Sequence, residues 1–207
     1  MKIISKKTLL KSIVLSFVLL GSVEVMAQET MHDICPLKVG AEVPAGTLEG
    51  KEKKHKLSEL TKSKPSVLIF YRGAWCGYCV KHLAELNTIK DEVKELGYEM
   101  FGITVDQASK LKESDIQATN EIPVYSDADL DVIKGFGLDW EVSEKMYTKY
   151  KESYELDLED WSGEEHHRLP VPAIFIVKDG VVEFQYVNPN YSKRLKPATL
   201  LAVLKTL

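Results

Sequence analysis

Two rhythms of apolar residues alternate along most of the chain. Val67-Leu68-Ile69-Phe70 is a short unbroken apolar run, β-branched and aromatic, which predicts a buried strand over residues 67–71. Beyond it, Val80, Leu83, Leu86, Ile89, Val93 and Leu96 recur at spacings of three and four. That is one face of a helix, expected as a single element over residues 76–96 and stopped at Gly97. The alternation continues with a strand over 98–105, a helix over 107–119 that turns Leu111 and Ile116 inward, a short extended segment at 122–125 and a short helix over 129–136. Strands and helices taking turns in this way imply an α/β fold whose strands pair in parallel through right-handed crossovers.

The flanks have a different rhythm. Residues 45–48 and 55–57 bracket the turn residues Glu49-Gly50-Lys51, which predicts an N-terminal β-hairpin, followed by a helical turn over 58–61. Residues 169–177 and 181–187 are apolar runs joined by Asp179-Gly180, a second antiparallel hairpin, so the expected sheet is mixed. Residues 197–207 close the chain as a helix with Leu200, Leu201 and Leu204 inward. Residues 139–166 break the pattern. A helix over 141–154 would carry a stripe of Met146, Tyr147, Tyr150 and Tyr154, either packed on the body or presented as a lid or docking surface, and 155–165 reads as an acidic exposed loop containing Trp161. With 207 residues, 44% of them hydrophobic, the chain suits one domain over 37–207.

Residues 1–27 carry their own signature. Lys2, Lys6, Lys7 and Lys11 precede a short apolar run and the small-residue exit Val25-Met26-Ala27, the pattern of a secretory signal peptide; an uncleaved anchor is the alternative. Removing it leaves 23 basic and 30 acidic residues, a formal charge of −7, which speaks against nucleic-acid binding. Export implies an oxidising compartment, the periplasm in a Gram-negative host. Residues 28–36 read as a loose arm containing Cys35, the odd thiol among three.

The candidate chemistry sits where the buried strand turns into the long helix. Trp75-Cys76-Gly77-Tyr78-Cys79 places two thiols one helical turn apart in the positive field of a helix N-terminus. A thiolate is favoured there, and the thiolate is the form that attacks disulfides and peroxides. Cys76 is the candidate nucleophile and Cys79 the resolving thiol, with Trp75 flanking them. A C-x-x-C pair also serves as half of a zinc site, but that needs two further ligands, and the histidines lack paired spacing. A structural disulfide is the other alternative, although so small a loop gains little closure entropy.

The segment FYRGAWCGYC, with the later LPVPAIFIV and Val187-Asn188-Pro189-Asn190-Tyr191, resembles the thioredoxin superfamily in its peroxiredoxin-like (AhpC/TSA-type) branch, from about Leu37 onward. The resemblance implies a thioredoxin-like fold, a central mixed sheet flanked by helices with an N-terminal hairpin extension, and an insertion near 139–166. It also implies that a cis proline, here Pro172, faces the cysteines and exposes the backbone of Val171 for pairing with an extended partner chain. Peroxiredoxins carry a threonine three residues before the reactive cysteine, where Gly73 stands if Cys76 is that cysteine, and an arginine near the position of Pro172. Arg72 and Arg168 are the candidate substitutes. The expected activity is therefore exported thiol–disulfide exchange through Cys76 and Cys79. The alternatives are a thiol peroxidase using Cys76 with Cys79 resolving, and a non-enzymatic binding module on the same fold. The implied partners are protein dithiols and disulfides, a membrane electron donor among them; no metal or organic cofactor is implied. His166 and His167 are minor acid–base candidates.

Overall fold

The computed structural model describes residues 30–114 and 121–207. The leader and Ile116 therefore lie outside the described residues.

β3 (Ser66–Phe70) is buried at every position and forms the middle of the main sheet. It pairs in parallel with β4 (Glu99–Thr104) and antiparallel with β8 (Ala173–Lys178). β4 pairs in parallel with β5 (Val124–Ser126), and β8 runs antiparallel to β9 (Val181–Val187). The N-terminal hairpin, β1 (Thr47–Glu49) and β2 (Lys54–Lys56), attaches through Glu49 opposite Ser126. The resulting seven-stranded mixed sheet has the order β2-β1-β5-β4-β3-β8-β9, so the expected hairpin extension is the sheet's edge. β6 (Asp139–Glu141) and β7 (Arg168–Pro170) form a separate two-stranded ribbon.

The two faces of β3 divide the core. Leu68 and Phe70 join Phe136 and Phe175 on one face, the three phenylalanines meeting at ring separations of 4.8–5.7 Å. Val67 and Ile69 face the other way, onto Leu83, Leu86, Ile174 and Ile176. A strand buried on both faces cannot alternate with polar residues, which is why β3 reads as an unbroken apolar run. The hairpin at Asp179-Gly180 holds both residues at positive φ, 53° and 79°, the geometry that a two-residue turn needs to follow strand twist.

The long helix is two helices. α2 (Gly77–Asn87) and α3 (Lys90–Glu95) are separated at Thr88 and Ile89, where the Thr88 hydroxyl donates back to the Glu85 carbonyl and Ile89 leaves helical dihedrals. Apolar spacing persists through the break because Ile89 and Val93 still face the core, so periodicity alone does not register it. Together with α8 (Pro197–Leu204) these helices cover the second face. α1 (Leu57–Lys62) and α5 (Asp131–Gly135) lie on the first, and α4 (Ala108–Glu113) follows β4.

The insertion differs from expectation in its second half. α6 (Glu144–Tyr154) packs Met146, Tyr147 and Tyr150 against the core and leaves Tyr154 61% exposed. The acidic segment after it is no exposed loop: Leu156 and Leu158 are buried, and α7 (Leu158–Ser162) is capped by Asp157, whose side chain accepts from the Glu159 N–H. Six acidic side chains mask two core leucines in that stretch. The arm is docked, not loose, from residue 30 onward, with Met31 and Ile34 packed on the core. Among the described residues no helix is long and apolar enough to cross a membrane.

Candidate active site

The site is built at the C-terminal end of β3. The Tyr71 N–H still donates to Ile103, extending the strand, and the chain then turns through Arg72–Trp75 into α2. The turn closes by the Cys76 N–H donating to the Gly73 carbonyl at 3.1 Å, and Cys76 is the N-cap of α2. A Cβ on residue 73 would lie 2.1 Å from Trp75 Nε1 and 2.7 Å from Asp106 Oδ1, so only glycine lets the indole and the carboxylate close over this turn. Asp106, fully buried at the end of β4, accepts from the Ala74 N–H at 2.6 Å. Burial pushes its acid up to about 7, opposed by the Ala74 N–H, Trp75 and Thr104.

Cys76 and Cys79 are joined as a disulfide with Cα atoms 5.2 Å apart, while Cys35 is a free, exposed thiol. The two bridged sulfurs have unlike surroundings. Cys76 lines an open pocket of about 540 Å³ with Arg72, Trp75, Tyr150, Trp161 and Tyr191. Cys79 is 1% exposed and faces the protein, where Arg194 Nη2 donates to its Sγ at 3.5 Å. Burial, and after it the neighbouring Arg72, pushes the Arg194 guanidinium down to about 10. Arg194 is held by its neighbour: the Leu195 carbonyl lies 2.9 Å from Nε2 of buried His82, one turn along α2 from Cys79. Burial lowers the His82 pKa, and the neutral ring donates to that carbonyl.

The aromatic stripe of α6 meets the site. Tyr150 takes a hydrogen bond from Arg72 Nη2 and lies 6.1 Å from Trp75 ring to ring, so the stripe both packs on the body and walls the pocket.

Pro172 does not take the expected form. No peptide bond among the described residues is cis. The Val171 N–H is spent on the Leu138 carbonyl at 2.8 Å, Val171 is fully buried, and the Pro172 carbonyl accepts from Asn188. The β6–β7 ribbon holds the chain extended into Pro172, through Leu169 opposite Trp140, and the Leu138 carbonyl just before β6 takes the Val171 N–H that a partner strand would need. Pro172 lies with His82, Arg194 and Leu195 around a small void, on the Cys79 side.

Arg168 is likewise elsewhere: it pairs with Asp139 at 2.7 Å and Glu141 at 3.2 Å. His166 Nδ1 accepts from the Arg168 N–H and its Nε2 donates to Ala128. His167 pairs with Glu159 and stacks on Tyr147. These residues fasten the insertion to the body. Asp106, His82 and Arg194 were not among the sequence candidates. Only a Cys79-to-His82 spacing of three, one helical turn, hints at any of them.

A sequence model of the AhpC/TSA family matches residues 39–185. Among solved structures, reduced Prx3 in complex with H2O2 from Vibrio vulnificus superposes with a TM-score of 0.66 at 22% identity, covering 82% of this chain and 96% of that one. Peroxidoxin BcpB from Mycobacterium tuberculosis gives 0.62 at 21% identity, covering 83% and 98%. Peroxiredoxin 5 from Alvinella pompejana gives 0.62 at 15% identity, covering 83% and 100%. At these identities the structural likeness speaks for the fold. In a comparison with curated proteins, none matches.

Proposed function

The chain belongs to the AhpC/TSA family, with a thioredoxin-like, peroxiredoxin-like fold, and on that premise we propose that it is a thiol–disulfide oxidoreductase that reduces partner disulfides through Cys76 and Cys79. The observation that carries this reading is the unequal placement of the two bridged sulfurs: both cysteines are buried, but Cys76 lines the open pocket and Cys79 does not.

In the reduced protein the Cys76 thiolate attacks one sulfur of the substrate disulfide. A Cys76–substrate bond forms, the substrate S–S bond breaks, and the departing sulfur takes a proton. The Cys79 thiolate then attacks Cys76 Sγ, releases the second substrate thiol and restores the internal disulfide. Two electrons and two protons pass to the substrate. The N-terminus of α2 favours the anionic form at Cys76, and Arg194 favours it at Cys79. Trp75 forms one wall beside the attacking sulfur, and Pro172 acts from behind, by packing with the residues that carry Arg194. The leader motif supports export to an oxidising compartment, with electrons arriving from another dithiol protein such as a membrane donor.

Peroxidase chemistry through Cys76 is the second reading, and family membership favours it. Against it, the arginine that touches a sulfur touches Cys79, and Gly73 offers no hydroxyl. The deciding experiment equilibrates the protein with glutathione and reads Cys76–Cys79 occupancy by mass spectrometry, with a parallel peroxide challenge. A potential near roughly −270 mV with slow peroxide turnover supports the reductase. A potential near roughly −120 mV makes the protein an oxidant. Rapid sulfenic acid formation at Cys76 in dilute peroxide makes it a peroxidase.

A further inference from the structure

The pocket on the Cys76 side holds a cation without an anion. Arg72 is 5% exposed. Its Nη2 donates to the Tyr150 hydroxyl, its Nε is buried with no partner, and no carboxylate among the described residues lies within 4.0 Å of it. Three aromatic rings surround the guanidinium, with centroids at 4.7 Å (Tyr191), 5.0 Å (Trp75) and 5.8 Å (Tyr150). Ring faces lower the cost of removing a cation from water but supply no counter-charge. Arg194 stands close enough to be repelled by Arg72, and it too lacks a carboxylate partner among the described residues. Buried charge is ordinarily paired, and a buried guanidinium left without a counter-charge on a pocket wall, as Arg72 is, is a place prepared for an anion.

The surroundings define what else the ligand carries. Arg72 and Cys76 line the same pocket. Its rim is aromatic: Tyr78 is 54% exposed, Tyr154 61% and Tyr191 39%. Lys149 and Glu155, also on its wall, are exposed and opposite in sign, so the net positive character of the pocket comes from Arg72. The chain as a whole carries a formal charge of −4, so a preference for anions cannot come from the bulk field.

We propose that this pocket is a substrate subsite for disulfides bearing a carboxylate close to the attacked sulfur, with Arg72 binding the carboxylate and the aromatic rim taking the adjoining carbon skeleton. The proposal rests on Cys76 being the attacking thiol. A carboxylate on the guanidinium holds the neighbouring sulfur in the pocket that Cys76 lines, and the exchange then proceeds by the balanced steps given above.

The test uses the reduced protein and three small disulfides of like size: dithiodipropionate (two negative charges), hydroxyethyl disulfide (neutral) and cystamine (two positive charges). Each single-turnover rate is divided by that for free dithiothreitol, which removes differences in leaving group. The normalised rate for dithiodipropionate is expected to exceed that for the neutral compound by about tenfold, the worth of one charge-assisted hydrogen-bond pair. Added salt should erode that advantage. Arg72→Gln should abolish the preference, and Arg72→Lys should retain part of it. Equal normalised rates, or cystamine fastest, would overturn the subsite. Reaction with none of the three would instead overturn the reductase reading itself. If Arg72→Gln fails to fold, the wild-type charge series decides: a dithiodipropionate advantage over the neutral and cationic compounds that is absent at low salt sinks the proposal.

Discussion

The two sulfurs of one disulfide sit in two different environments. On the Cys76 side the protein is open, aromatic and built partly from the insertion, through Tyr150 and Trp161. On the Cys79 side it is closed, and the contacts come from the C-terminal loop, through Arg194 and Leu195. Each side has its own guanidinium, Arg72 facing the pocket and Arg194 facing the sulfur. The difference teaches a division of labour. A sulfur that must meet a foreign disulfide needs access and a means of binding what carries it. A sulfur that need only reach its neighbour is better sealed, because sealing keeps it from attacking foreign disulfides and leaving the protein trapped.

Separating the two thiols breaks that comparison most severely. Cys76→Ser should leave less than about one per cent of disulfide turnover, since no attacking sulfur then lines the pocket. Cys79→Ser should still attack once and then stall, so that protein covalently joined to half of the substrate accumulates and is read directly by mass spectrometry. If the Cys79 variant turned over freely, or if the Cys76 variant trapped substrate, the assignment of the two sides would be reversed.

Asp106 sharpens the comparison from below, because it fastens the turn that separates the two sides. Its acid is pushed up to about 7 by burial, so the folded protein holds its proton more tightly than the unfolded chain does. Stability from this group is therefore full below about pH 4 and is lost as pH rises toward 7. Asp106→Asn keeps an oxygen for the Ala74 N–H and removes the charge. The variant should match wild type in urea midpoint near pH 4 and exceed it at pH 8. The ceiling on that gain is on the order of 4 kcal/mol, because a tenfold difference in proton affinity between the folded and unfolded chain is worth about 1.4 kcal/mol. Asp127, also pushed up to about 7 by burial, keeps its share of the slope in the variant. A wild-type advantage at pH 8 would mean that the carboxylate itself is needed to hold the turn.

Much of this is legible in the chain, and unevenly. The buried run of β3, the helix behind it and the C-x-x-C between them are local patterns, and each survives in the structure because burial on both faces and helix periodicity act over a few residues. The C-terminal hairpin is legible for the same reason. What is not legible depends on residues far apart. Arg194 reaches Cys79 across 115 positions, and Asp106 reaches Ala74 across 32. Nothing in the spacing of either announces the contact. The geometry at Pro172 fails for a related reason: the family pattern assumes a free backbone there, and in this chain Leu138, far off in sequence, takes the Val171 N–H. The acidic stretch after α6 misleads because two buried leucines are outnumbered by charges.

The smallest expected effect falls on the closed side. Arg194 places one N–H on Cys79 Sγ and a positive charge beside it. It does not line the pocket at Cys76, so it belongs to the second step of exchange and not to the first. Arg194→Met preserves much of the packing of the stem while removing the charge. Without the nearby cation, less Cys79 is present as thiolate at neutral pH, and a thiolate fraction smaller by about tenfold slows resolution to the same extent. The measurement is the lifetime of the Cys76–substrate mixed disulfide after rapid mixing, followed across neutral to mildly alkaline pH. Formation of that species should be nearly unchanged, its decay slower, and the decay should recover at high pH, where Cys79 ionises without help. A uniform slowing of both steps at every pH would show instead that Arg194 only braces the loop carrying Leu195 against His82. The two sides of the disulfide would then differ in access alone and not in chemistry.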